Sequence, residues 1–182
     1  DDGVQWHSAC VVNPRWGNEI RVDRLTAPVE RVKKVAVIGG GPAGMKAALE
    51  AANRGHNVTI YEKSGELGGL IKHAKYADFK WPMRRYLEYM VRKVRENPNI
   101  NLRLDCAPTP DYIEEQNYDV LIAAIGAAPA VPSITGTESA KFMHAVDAFE
   151  HEAELGKRVV VVGGGEIGAE TGLYLAKQGH EV

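Results

Sequence analysis

The sequence predicts an α/β fold built on a doubly wound parallel sheet. Two glycine strings carry this prediction: GGGPAG at 39–44 and GGGEIG at 163–168 each follow a β-branched apolar run and open a helical apolar pattern. A strand that passes through such glycines into a helix is typical of a dinucleotide-binding unit. Because the strings begin at Gly39 and Gly163, 124 residues apart, we expect one polypeptide to bind two adenine dinucleotides.

The first unit reads as a complete strand, helix and strand. Residues 35–38 form a short apolar strand, helical spacing of apolar residues continues over 45–54, and Gly55 ends that helix. Residues 57–61 form the second strand. Farther along, the pattern predicts helices at 82–96, 110–116, 142–155 and 169–178, strands at 101–104, 118–125 and 158–162, a loop at 127–137, and the start of a strand at 179–182.

These elements divide the chain into three parts. Residues 1–30 have no helical or strand period and predict an irregular lead-in, 31–156 form the first part of one nucleotide-binding domain, and 157–182 begin a second one. One strand and one helix do not satisfy a parallel sheet. We therefore expect the second domain to be truncated and the chain to be a piece of a longer protein.

Each glycine in such a unit has a physical task. The first, Gly39, permits a tight turn, the second, Gly41, lets the backbone approach a pyrophosphate, and the third, Gly44, lets the helix pack closely on the strand. Helix N-terminal N–H groups then hold the phosphates. Glu62 lies 23 residues after Gly39, near the separation at which an acidic side chain hydrogen-bonds a ribose. The corresponding glycines of the second unit are Gly163, Gly165 and Gly168.

Composition excludes several classes of function. The chain has 182 residues, 45% of them hydrophobic, with a net charge of −2, so nothing favours nucleic acid or an anionic membrane as a partner. No 18-residue apolar run and no signal peptide occur, which predicts a cytoplasmic protein. The basic residues of 82–96 alternate with Glu88 and Glu96, as on a solvated helix face. The six histidines have no metal-ligand spacing, and the two cysteines form no disulfide framework.

Three stretches resemble the flavin-linked reductases of the glutathione-reductase-like class, with two Rossmann-like nucleotide domains. VAVIGGGPAG through TIYEKSGELGGL (35–70) resembles their FAD-binding half, IAAIGAAP (122–129) resembles their ATG-containing strand with Ile125 in place of Thr, and VVVVGGGEIGAET (159–171) resembles their NAD(P)H unit. The resemblance implies that FAD and either NAD or NADP bind here. The implied FAD residues are Gly39, Gly41, Pro42, Ala43, Gly44, Glu62, Lys63, Gly68, Gly69, Ala124 and Gly126, and the implied NAD(P) residues are Gly163, Gly165 and Gly168.

A narrower resemblance comes from CVVNPRWGNE at 10–19. It is similar to the segment that joins barrel and dinucleotide domains in the old-yellow-enzyme-related iron-sulfur flavoproteins, which include 2,4-dienoyl-CoA reductase, 2-enoate reductase and trimethylamine dehydrogenase. The resemblance implies that Cys10 is one ligand of a [4Fe-4S] cluster, whose other three cysteines would lie upstream. Cys106 belongs to no CxxC and is interpreted as structural, which also argues against disulfide reductase chemistry.

The resemblance also implies an activity for the longer protein. NAD(P)H would reduce FAD, and electrons would pass through the cluster to FMN in an upstream barrel domain that reduces an activated C=C bond. Two alternatives stay open: an amine dehydrogenase with ADP in the first site, or a non-catalytic nucleotide-binding module. No residue is assigned a catalytic role, the isolated chain is expected to be inactive, and substrate and oligomeric state are open. NAD and NADP also stay open, because the discriminating position would be about 186, beyond Val182.

Overall fold

The fold centres on a parallel sheet, as the sequence predicts. The computed structural model describes residues 10, 12–13, 15–25 and 29–182. In this part of the chain, four strands pair in parallel in the order β3-β2-β1-β4. Their bounds are β1 Lys34–Ile38, β2 Asn57–Tyr61, β3 Ile100–Arg103 and β4 Val120–Ala123. The α/β class with a parallel sheet is therefore confirmed.

One face of the sheet carries most of the hydrophobic core. Alternate residues point to this face, because side chains along a strand alternate between the two sides of a sheet. Val35 and Val37 of β1 and Val58 and Ile60 of β2 are almost fully buried there. Helices α2 (Pro42–Asn53) and α3 (Trp81–Glu96) cover them through Met45, Ala48, Leu49, Ala52, Met90 and Val94.

The opposite face is more thinly covered. Helix α4 (Pro110–Glu115) packs Ile113 against Ala36 and Tyr61, and Thr109 caps this helix by accepting a 3.2 Å hydrogen bond from the Tyr112 N–H. At the edge of the sheet, Leu121 of β4 stays 56% exposed. Helices thus lie on both faces of the sheet, which is the doubly wound arrangement.

A segment that the pattern did not predict links the first unit to the rest of the chain. It consists of the 3-10 helices Gly69–Lys75 and Asp78–Lys80, which we call the connecting segment 69–80. Its residues Tyr76, Ala77 and Phe79 pack against helix α5 (Glu166–Lys177) of the second unit. The connecting segment therefore contacts both nucleotide units.

Three predicted elements differ from the structure. The helix predicted at 142–155 is wrong: this stretch contains only the 3-10 helices Asp147–Phe149 and Glu152–Glu154, because short turns suffice to bury Ala148 and Phe149. In place of the strand predicted at 158–162, the structure has one parallel bridge between Arg158 and Glu181. Glu181 is the residue, among those described, that pairs with this stretch. The lead-in includes helix α1 (Glu19–Leu25) rather than being irregular throughout.

The rest of the lead-in prediction falls partly on residues 1–9, 11, 14 and 26–28, which lie outside the described residues. Within the described ranges, none of the helices combines the length and the apolar character that crossing a membrane requires.

Candidate nucleotide-binding site

The first glycine turn joins β1 to α2 at the carboxyl end of the sheet. Gly39 has a φ of 107°, a left-handed conformation that side chains disfavour, and its N–H donates to the Tyr61 carbonyl oxygen at 2.8 Å. Gly44 lies in the first turn of α2, where an added Cβ would overlap the Gly39 carbonyl group and lie 3.3 Å from Val37. The helix can approach the strand this closely only because Gly44 has no side chain.

The N-terminus of α2 is open to a ligand. Gly41 is its N-cap residue with no capping side chain, and Pro42 at the first helical position has no N–H to satisfy. The first intrahelical bond runs from the Met45 N–H to the Gly41 carbonyl oxygen, at 2.9 Å. Helix geometry therefore leaves the N–H groups of Ala43 and Gly44 without an intrahelical acceptor. Such N–H groups, at the positive end of the helix dipole, suit a phosphate.

Glu62 directly follows β2 and is tied to the turn. Its side chain is buried, and its Oε2 accepts a 2.7 Å hydrogen bond from the Gly40 N–H. Its Oε1 accepts bonds from the N–H and the Oγ–H of Ser64, at 2.9 and 2.8 Å. Among the residues that the structure describes, Oε2 thus has a single donor, and a carboxylate oxygen can accept two. A ribose hydroxyl could use the remaining acceptor position.

The charge of Glu62 is stabilised where it lies. Burial acts to raise the pKa of this carboxyl group, but the hydrogen bonds from Ser64 and Gly40, together with the positive charge of Lys63, outweigh burial. The pKa of Glu62 is therefore held below its ordinary value of 4.5. The side chain is an anion at neutral pH and can act only as a hydrogen-bond acceptor.

A second glycine pair closes one side of the turn. The Gly68 N–H donates to the Gly40 carbonyl oxygen at 2.9 Å, and Gly69 has a φ of 52°. A Cβ added to Gly69 would lie 3.1 Å from the Gly41 Cα, so these two backbones are in close contact. The structure thus brings the Gly68–Gly69 pair against the glycine turn at 39–44.

The remaining predicted residues of the first unit differ in how close they lie to the turn. The Ala124 N–H donates to the Ile38 carbonyl oxygen at 2.8 Å, and the carbonyl group of Ala124 lies against Gly39. Gly126 has a φ of 73° and is exposed, and Lys63 is also exposed. Ala124 therefore forms part of the turn's surroundings, whereas nothing lies within 4 Å of a Cβ built on Gly126.

The second glycine turn repeats the first in detail. Gly163 has a φ of 113°, and Gly165 is the uncapped N-cap residue of α5. A Cβ added to Gly168 would overlap Gly163 and lie 3.6 Å from Val161, much as at Gly44. The surroundings differ, because nothing lies within 4 Å of a Cβ built on Gly163, Gly164 or Gly165. A shallow cavity opens beside this turn, lined by Ala145, Val161, Val162, Gly163, Gly165, Glu166, Ile167 and Gly168.

Cys10 forms no disulfide bond. It is half-buried and carries a free thiol, as does Cys106, which packs beside Tyr61 on the thinly covered face of the sheet. Among the described residues, no group of three or more His, Cys, Asp or Glu side chains could hold a metal ion. A [4Fe-4S] cluster needs four protein ligands, so these residues do not hold one by themselves.

Two residues of the first site were not singled out from the sequence. Gly40 provides the N–H that binds Glu62, and a Cβ there would lie 3.0 Å from Glu62 Oε2 and also overlap Leu67. Ser64 provides two of the donors to the same carboxylate. The sequence offers a general signal for Ser64, because serine side chains commonly form hydrogen bonds with nearby groups of the chain. No sequence signal indicates that Gly40 is the donor.

The first glycine turn joins β1 to α2, and the second leads into α5 after a stretch that forms one parallel bridge. Two such turns are typical of an α/β protein that binds nucleotides. The family described as pyridine nucleotide-disulphide oxidoreductase matches residues 33–182, and the chain belongs to this family. Its FAD- and NAD(P)-binding character agrees with the two turns.

Known relatives confirm the resemblance to the old-yellow-enzyme-related flavoprotein reductases. Cinnamate reductase from Clostridium sporogenes is 37% identical over 174 residues, which are 96% of this chain and 25% of that protein. Bilirubin reductase from Mediterraneibacter gnavus is 38% identical over 174 residues, 96% of this chain and 27% of that protein. A solved structure of 2-naphthoyl-CoA reductase with 2-naphthoyl-CoA is 38% identical, with a TM-score of 0.88, over 96% of this chain and 26% of the other. The chain thus spans about a quarter of the length of these relatives.

Proposed function

We propose that the first glycine turn binds the ADP half of FAD and that the second binds the pyrophosphate of NAD or NADP. The observation that carries this proposal is the link between Glu62 and Gly40, which places an anionic acceptor beside the open N-terminus of α2. A dinucleotide offers ribose hydroxyls to such an acceptor and phosphates to such a helix end. On this proposal, residues 31–156 form the first part of an FAD domain and 157–182 begin an NAD(P) domain.

The residues of the first site would divide the work. Ala43 and Gly44 would donate their N–H groups to the pyrophosphate, and Glu62 would accept a hydrogen bond from the ribose. Gly69 lies against Gly41 and would keep side chains away from the phosphates. Bound FAD supplies hydride and electron transfer, and the protein supplies binding and orientation. Lys63, Gly68, Ala124 and Gly126 would complete the wall of the site.

We further propose that the longer protein is an NAD(P)H-dependent reductase of activated C=C bonds. The support is that relatives at 37–38% identity are named cinnamate reductase and bilirubin reductase, and that the chain spans only about a quarter of them. Such a protein would pass electrons from FAD through a [4Fe-4S] cluster to FMN in an upstream barrel domain. Cys10 would be one cluster ligand, with the other three provided outside the described residues.

The binding proposal is tested by exchanging Glu62 for glutamine. FAD affinity is measured by flavin fluorescence in the wild-type chain, in Glu62→Gln and in Glu66→Gln. Loss of a charged acceptor for a ribose hydroxyl weakens binding by about 10-fold or more. Glu66 is the matched control, because it lies on the same loop and its ion pairs in the described part of the chain are those with Lys72 and Lys75. Equal affinities in all three proteins would contradict the proposed role of Glu62.

The nature of the first nucleotide is tested separately. The longer protein is denatured, and its released nucleotides are identified by mass, with iron and FMN measured in the same sample. FAD together with FMN and iron is the expected result. ADP without FAD would favour the amine dehydrogenase alternative, and the absence of any nucleotide would contradict the flavoprotein proposal.

A further inference from the structure

The connecting segment 69–80 runs from one nucleotide turn to the element that carries the other. At its start, Gly69 contacts Gly41 of the first turn. At its end, Lys80 reaches Glu170 on α5, the helix that begins at the second turn. A contiguous stretch of twelve residues, 69 to 80, therefore connects the two candidate sites.

The contact at the far end of this segment is both charged and packed. Lys80 Nζ lies 2.5 Å from Glu170 Oε2, and the two side chains are 19% and 40% exposed. The same ammonium group lies 5.7 Å from the centre of the Phe149 ring. Phe149 in turn packs on Tyr174 of α5, with ring centres 4.8 Å apart. An ion pair that is partly shielded from water and flanked by rings is stronger than one at an open surface.

Buried apolar side chains around this contact hold it in place. Ala77 and Leu175 are each 1% exposed, and Phe149 and Tyr174 are also buried. This cluster is separate from the main core beneath α2 and α3. The position of α5 relative to the first unit therefore depends on a small number of side chains. Among the described residues, Lys80 and Glu170 form the only ion pair between the connecting segment and α5.

We propose that Lys80 and Glu170 are positioning residues that couple the two nucleotide sites. Binding of a nucleotide at the first turn restricts the motion of Gly69 and of the connecting segment that follows it. The Lys80–Glu170 contact then restricts the motion of α5 and of the second turn. The inference rests on the proposed function of the first turn. Coupling of this kind is reciprocal, so a ligand at the second turn would strengthen binding at the first to the same degree.

The experiment measures hydrogen exchange of the α5 amides at 169–177 with and without saturating FAD. In the wild-type chain, FAD slows this exchange by about five-fold or more, the lower end of typical coupling between sites. In Lys80→Met, which keeps an aliphatic stem, and in Glu170→Gln, the ratio falls to about one while FAD affinity stays within roughly two-fold. A contact with only a structural role would change α5 exchange equally with and without FAD.

Matched controls remove a different ion pair. Arg92→Met and Glu96→Gln break the exposed pair on α3, whose side chains are 61% and 58% exposed, and they keep the wild-type response to FAD. The double variant K80E/E170K restores part of the response by reversing the pair. Glu170→Gln decides the matter if Lys80→Met does not fold, since Glu170 is the more exposed partner.

The outcomes separate the two proposals. FAD that binds the wild-type chain without slowing exchange in α5 overturns the inference alone. So does a response that survives in Glu170→Gln. FAD that fails to bind the wild-type chain overturns the proposed function of the first turn and the inference with it.

Discussion

At the residue scale, the closest approach in each site is made by a glycine in the first turn of a helix. Gly44 and Gly168 both lie so near the preceding turn that an added Cβ would overlap a carbonyl group, with the carbonyl carbon 3.0 and 2.9 Å away. Because backbone atoms cannot move aside as a flexible side chain can, a methyl group there must push the helix away from the strand. The distance between helix and strand in turn sets where the N–H donors point.

We predict that Gly44→Ala lowers the free energy of unfolding by about 1–3 kcal/mol and weakens FAD binding. The measurement is urea denaturation together with flavin fluorescence. Gly164→Ala is the control, because nothing lies within 4 Å of a Cβ at that position and its φ is not left-handed. It is expected to change stability by less than about 0.5 kcal/mol. A stable Gly44→Ala that binds FAD normally would contradict this account of the turn.

Glu62 gives a prediction of pH dependence. Its pKa is lowered in the folded protein, so it contributes stability above its ordinary value of 4.5, and this contribution is lost as the pH falls through the lower, folded-state pKa. Glu62→Gln has no such carboxyl group. We expect the stability difference between wild type and Glu62→Gln to be constant near neutral pH and to shrink below pH 4.5. Unfolding measured from pH 3 to 7 checks this, and a difference that grows on acidification would contradict it.

At the element scale, His180, which follows α5, is held by two groups more than twenty residues earlier in the chain. His180 Nε2 lies 2.7 Å from Glu152 Oε1, and its Nδ1 lies 2.9 Å from the Gly156 carbonyl oxygen. Both partners are acceptors, and only the protonated imidazole can donate from both nitrogens. These two bonds raise the pKa of His180 above 6.5, and the bond with Glu152 has the larger effect.

A titration tests this arrangement. The NMR titration of His180 is expected to show a pKa above 6.5 that falls in Glu152→Gln, while His151, whose pKa is raised mainly by its hydrogen bond with Glu154, stays unchanged. Since the pKa is raised on folding, the charged imidazole stabilises the fold fully below pH 6.5. This stabilisation is lost as the pH rises through the folded-state pKa. An unchanged His180 titration in the variant would contradict the pairing.

At the scale of the whole molecule, the two glycine turns have different surroundings. The first turn is surrounded by Glu62, Leu67, Gly69 and Ala124, whereas the second has open space around its glycines. Leu121, Ile125, Val160 and Val162 are all at least half exposed, at the sheet edge and beside the second turn.

We predict that this chain alone catalyses no steady-state oxidation of NAD(P)H, whereas the longer protein does so in the presence of an enoate. The reason is that the related reductases are about four times as long as this chain. The chain covers 25% of cinnamate reductase and 27% of bilirubin reductase. The measurement is the fall of NAD(P)H absorbance with cinnamate or a related enoate for both proteins. Turnover by the isolated chain at the rate of the longer protein would contradict the proposed electron path.

The sequence by itself determined the α/β class, both glycine turns and the position of Glu62 after β2, because these features depend on local spacing and on the special conformations of glycine. It did not determine which group Glu62 binds, since the Gly40 N–H donor is set by how β1 and β2 lie side by side. It also predicted a helix at 142–155, where burial of Phe149 against α5 favours short turns. Those features depend on packing between distant segments, which only the tertiary structure decides.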